Sequence, residues 1–141
     1  MHETFMDMAF QEAIKAFDLQ EVPVGCVVVK NNKIVSSSHN MTNANRSPLD
    51  HAEVLCIRST DCSNSTFYIT CEPCIMCMGI ISRLSNVKVY YGCKNEVFGS
   101  KTICGVGENT TYIPDERCFR ILQNFYAREN IFAPEEKRKA K

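Results

Sequence analysis

Two short runs constrain this chain more than any other feature: Asp50-His51-Ala52-Glu53 and Glu72-Pro73-Cys74-Ile75-Met76-Cys77. Together they hold an imidazole, a carboxylate and two thiols, each run near what reads as a helix start. Cys74 and Cys77 are three apart, so at a helix start they lie about one turn apart on one face and can reach the same ion. A C-x-x-C alone also serves redox motifs and structural zinc knuckles. No other thioredoxin-like feature accompanies it, which favours zinc. Of the three histidines, His2 sits near the chain start and His39 in a loop, leaving His51 the best-placed imidazole. One nitrogen and two sulfurs leave a tetrahedral zinc one ligand short. Catalytic zinc sites keep such a position for water, whereas structural sites close it with a fourth protein ligand. Cys71 could close it, but Pro73 and the preceding strand should aim it elsewhere.

Glu53 has two readings. Asp50-His51-Ala52-Glu53 fits the D-x-x-E form of a capping box, with Asp50 as N-cap and Glu53 satisfying orphan backbone donors. Alternatively Glu53, two residues from a zinc ligand, takes a proton from the activated water. Spacing alone leaves both open.

With 141 residues the chain is most simply one domain, and nothing in it approaches the roughly 20 continuous apolar residues of a membrane span. The polar, acidic start Met1–Asp7 does not read as a signal peptide. An intracellular protein with reduced thiols is therefore expected despite nine cysteines. Cys26, Cys56, Cys62, Cys71, Cys93, Cys104 and Cys118 are then mostly small buried apolar groups. Sixteen basic and sixteen acidic side chains argue against a free-standing, charge-driven nucleic-acid binder, though not against a local patch such as Lys137-Arg138-Lys139-Ala140-Lys141.

Apolar periodicity predicts an amphipathic helix over 4–17. The β-branched run Val24–Val29 predicts a strand covered on both faces, and Asn31-Asn32 turns it into a second arm over 33–38. A polar loop over 39–49 leads to a helix from His51 to about Ser59. A strand over 66–70 precedes a third helix, with Pro73 in its first turn, that continues to Leu84. A fourth strand spans 87–91, a loop 93–110, a short strand 111–113 and a last helix 115–130. One sheet with helices on both faces follows from that order.

His51-Ala52-Glu53 with Pro73-Cys74-Ile75-Met76-Cys77 resembles the H-x-E…P-C-x-x-C signature of zinc nucleobase deaminases. The likeness runs from about Met6 to Asn130. Val22-Pro23-Val24-Gly25, Asn40 and the two site runs are similar to tRNA adenosine deaminases in particular. Val89-Tyr90-Tyr91-Gly92-Cys93, Phe98-Gly99 and Phe125-Tyr126 followed by Glu129-Asn130 resemble the catalytic subunit of the eukaryotic heterodimeric enzymes. The resemblance implies a three-layer α/β/α, cytidine-deaminase-like fold with a five-stranded mixed sheet, occupying residues 1–131 ahead of a charged tail at 132–141. It implies zinc held by His51, Cys74 and Cys77, with Glu53 as the catalytic proton carrier in hydrolysis of adenosine to inosine at the anticodon wobble position. Asn40 and the backbone N–H of Ala52 would contact the flipped base. The implied partners are a tRNA anticodon loop and a homologous, catalytically silent subunit, or else a second copy of the chain. Glu53 places this chain on the catalytic side. Leu49-Asp50 and the loop over 95–110 depart from the family pattern. A deaminase of free nucleosides, nucleotides or bases, and a non-catalytic zinc-stabilised RNA-binding subunit, are the competing readings.

Overall fold

Gly25–Lys30 forms β1, an interior strand of the sheet, and its alternate residues feed two separate cores. Cys26 and Val28 face one side, Val27 and Val29 the other, as expected for a strand covered on both faces. The structure, a computed structural model, describes residues 1–128. The tail over 132–141, Glu129-Asn130 and the end of the predicted last helix lie outside the described residues.

Asn31 and Asn32 both adopt positive φ (48° and 61°), the conformation that a two-residue hairpin turn demands, and lead into β2 (Lys33–His39). A bulge between Val28 and Val29 shifts the register of this pair. β1 also pairs antiparallel with β3 (Ser65–Cys71), which runs parallel to β4 (Val87–Cys93), itself parallel to β5 (Thr110–Tyr112). The resulting order, β2-β1-β3-β4-β5, is the five-stranded mixed sheet that was expected.

Among the described residues, four helices cover it. α1 (His2–Asp18) and α4 (Glu116–Ala127) pack on one face, α2 (Ala52–Ser59) and α3 (Ile75–Ile81) on the other. The buried face of α1 is mostly small, with Ala9, Ala13 and Ala16 fully buried, so the helix backbone lies almost on β1. Gly25 is required by that approach: a Cβ there would fall 1.9 Å from the carbonyl oxygen of Ala9. Phe67, Ile69, Ile81 and Val89 fill the opposite core beneath α2 and α3.

Local details correct the sequence reading. His51 caps α2 instead of opening it, and Asp50 makes no capping bond. The Asp50 carboxylate is instead bonded by Asn45 Nδ2 (2.8 Å) and by the Arg58 guanidinium. The capping box therefore does not form, because ion pairing and the incoming loop claim the residue meant to cap. Pro73 lies one residue before the N-cap of α3, Cys74, not within its first turn. α3 stops at Ile81, and Ser82–Leu84 continue only as turns. All the cysteines are free, and those expected to be buried are, except Cys104, which sits exposed in the loop before β5.

Candidate metal centre and catalytic cavity

The polar groups converge where β3 and β4 end, the usual place for a site at the carboxyl ends of parallel strands. His51 and Cys74 are the N-cap residues of α2 and α3, and Cys77 is in the first turn of α3. Cys77 donates its backbone N–H to Cys74 Sγ at 3.5 Å. His51 Nδ1 lies 3.6 Å from Cys74 Sγ and 3.5 Å from Cys77 Sγ. Zinc at about 2.3 Å from sulfur and about 2.05 Å from nitrogen, with tetrahedral angles, needs N···S edges of about 3.6 Å. The triangle is thus already spaced for the ion, and its ligand atoms all lie within 4.8 Å of one another. Among the described residues it is the one such cluster of three, and Cys71 is not part of it.

Hydrogen bonding from Cys77 and His51 holds the Cys74 thiol down to about 4 against burial, so it is a thiolate at neutral pH. The bond to Cys74, burial and the nearby Glu53 push the Cys77 thiol up, and the bond to Cys74 raises His51. A preformed thiolate beside an imidazole and a second thiol is a donor set suited to zinc.

Glu53 occupies the first turn of α2 and is 3% exposed. Its carboxylate reaches the Cys77 thiol, which places it at the edge of the metal triangle. Burial, reinforced by the negative Cys74, pushes its pKa above the usual carboxylate range. That is the direction a proton carrier working near neutral pH needs. It does not complete a capping box with Asp50: the N-cap residue is His51, and its side chain makes no cap bond.

Asn40 and Ala52 do meet at the site, but on each other. Asn40 Oδ1 accepts the Ala52 backbone N–H at 3.1 Å, so that N–H is not free for a ligand as expected. What Asn40 still offers is its NH2 group. His51, Glu53, Cys74 and Asn40 line a cavity of about 1130 Å³ that extends to Phe98 and to Phe119 on α4.

Two buried acids that sequence reasoning did not single out hold the loops around this cavity. Glu21 accepts the backbone N–H groups of Asn43 (3.0 Å) and Ala44 (2.7 Å), fixing the loop between Asn40 and His51. Glu72 does the same for the loop after β4. The available signal was weak: an acid one or two residues before a proline between two elements (Glu21 before Val22-Pro23, Glu72 before Pro73).

Residues 1–93 match the cytidine and deoxycytidylate deaminase zinc-binding region. A tRNA-specific adenosine deaminase 2 of Xenopus laevis is 36% identical over 96% of this chain and 91% of its own length. A tRNA-specific adenosine deaminase subunit of Schizosaccharomyces pombe is 29% identical over 94% of this chain and 39% of its own. A solved structure from a study of A-to-I editing by tRNA:A34 deaminases at the wobble position of transfer RNA superposes with a TM-score of 0.72. It is 27% identical and covers 85% of this chain and 99% of the other.

Proposed function

The chain belongs to the cytidine and deoxycytidylate deaminase family, and from that premise we propose that it hydrolyses adenosine to inosine at the wobble position of tRNA anticodons. One observation carries the reading: the His51–Cys74–Cys77 triangle has zinc-sized edges and a buried carboxylate, that of Glu53, at its rim. Bound there by His51, Cys74 and Cys77, zinc supplies Lewis acidity that brings the pKa of a water to about 7.

The chain's own residues carry the protons. Glu53 accepts one from the attacking water and passes it to adenine N1, which makes C6 more electrophilic. The oxygen adds to C6; Glu53, again a carboxylate, takes the second proton from the new C6 hydroxyl and hands it to the departing amino group, so that water is consumed, ammonia leaves and inosine remains. Its raised pKa suits both directions of transfer. Asn40 presents its NH2 to the base, and the Ala52 N–H serves the base once Asn40 gives it up. The target base must be outside a stack to enter the cavity, which an anticodon loop offers at low cost. The partner we propose is a homologous, catalytically silent subunit; a homodimer is the alternative that sizing of the active species separates. The naming of the fission yeast relative as a subunit supports an assembly.

The decisive experiment incubates the purified zinc-loaded chain, alone and with candidate partner subunits, with tRNA and with free adenosine, cytidine and guanine. Inosine in tRNA supports the reading. Ammonia released from a free nucleoside or base, with no inosine in tRNA, overturns it.

A further inference from the structure

Glu72 is 2% exposed, yet among the described residues no cation pairs with it. Its charge is met by the loop after β4. Asn95, Lys101 and Thr102 donate their backbone N–H groups at 3.1, 2.9 and 2.8 Å, and the Thr102 hydroxyl donates at 2.5 Å. Burial pushes this carboxyl up, but the bonds from Thr102, Asn95 and Lys101 outweigh it and hold the group below the usual carboxylate range.

The loop answers in kind on the turn that carries Cys74. Ile75 donates its N–H to the Phe98 carbonyl (3.2 Å) and Ser100 donates to the Pro73 carbonyl (3.0 Å). Gly99 is pressed so closely that an added Cβ would lie 2.6 Å from Glu72 Oε2 and 2.3 Å from the Asn95 carbonyl oxygen. At the crest of this tightly held loop, Val97 and Phe98 are 68% and 66% exposed, and both line the same cavity as His51 and Glu53. A fixed loop that presents an aromatic ring and an apolar side chain at a cavity rim suits unstacked nucleobases, which take their affinity from such faces.

We infer that Glu72 is a positioning residue: its carboxylate locks the 95–102 loop onto the Cys74 turn and thereby sets the wall of the groove that receives nucleotides next to the target base. This rests on the tRNA reading above. A purely structural acid would affect stability or metal content; a positioning one affects how RNA is held.

The test uses the zinc-loaded full chain, with its partner subunit if activity requires one, and two variants that loosen the same joint from opposite sides. Glu72→Gln places an NH2 among groups that are all donors, and Gly99→Ala drives a methyl into the joint. Both should keep wild-type zinc content, raise KM for an anticodon stem-loop RNA about tenfold or more, and leave kcat within about threefold. Trypsin should also cut after Lys94 and Lys101 faster in both than in the wild type. Loss of zinc from both variants, a fall in kcat with KM unchanged, or unaltered trypsin cutting overturns the inference. A wild-type chain that makes no inosine in tRNA fails the tRNA reading instead. The trypsin comparison needs no substrate and still judges the clamp.

Discussion

Asn40 and Ala52 are joined by a hydrogen bond from the Ala52 backbone N–H to Asn40 Oδ1, 3.1 Å long and buried beside the metal triangle. The bond ties the end of β2 to the first turn of α2, the turn that also carries Glu53. Asn40→Ala leaves a buried N–H without a partner, at a cost of about 1–3 kcal/mol. The thermal midpoint should fall by several degrees, and deamination should fall more steeply than folding stability alone explains. Calorimetry alongside inosine formation checks this; an unchanged midpoint removes the bond from the stability of the site.

Glu53→Gln keeps the shape of the side chain and removes its capacity to accept a proton. Deamination should drop by about 10²–10⁴-fold. Zinc content, measured by elemental analysis, should match the wild type, because Glu53 is not one of the three ligands. Retained deamination would remove the proton role.

His51→Ala takes one corner from a triangle whose other two corners are sulfurs 3.6 and 3.5 Å away. Zinc occupancy should fall, and activity with it. A strong chelator should inactivate the wild type, and added zinc should restore it. Unaffected metal content in His51→Ala would exclude it from the site.

Gly25→Ala tests the seat of α1 on the sheet. The added methyl meets backbone atoms, the Ala9 carbonyl oxygen at 1.9 Å and the Ala13 nitrogen at 2.6 Å, which cannot swing aside as a side chain can. Overpacking of this kind costs about 1–3 kcal/mol or more. Urea unfolding should show a lower midpoint with an unchanged slope. Equal midpoints would mean that α1 can lift from β1 at no cost.

Removing the chain beyond Pro134 deletes Lys137, Arg138, Lys139 and Lys141 from a protein with no net charge. If these side chains contact phosphates, tRNA binding should weaken and its dependence on salt should flatten. Titrations at several salt concentrations decide it, and identical slopes exclude the contacts.

Legibility in the sequence followed the range of the interactions. His51, Cys74 and Cys77 could be picked out because ligand chemistry and the spacing of a helix start are local, and the hairpin at Asn31-Asn32 is likewise local. The helix cap was misread for the opposite reason. D-x-x-E is a local pattern, and Asp50 obeys partners on either side of it, Asn45 and Arg58, which the pattern does not contain. The clamps were not legible either. Glu72 meets its donors 23 to 30 residues further along the chain, and Glu21 meets Asn43 and Ala44 only once β2 has returned to β1.

The way Glu72 grips its loop has a bearing on how such a protein can change. Three of its four bonds go to main-chain N–H groups, which every residue except proline provides. Apart from Asn95, whose Oδ1 accepts the Val97 and Phe98 N–H groups, and Thr102, whose hydroxyl reaches Glu72, the side chains of the loop have little part in setting its course. Glu96, Val97 and Phe98 can be exchanged while the rim keeps its shape, with Gly99 the fixed point. A designer or a lineage seeking a new preference among RNA substrates can work on those three positions without rebuilding the metal centre beneath them.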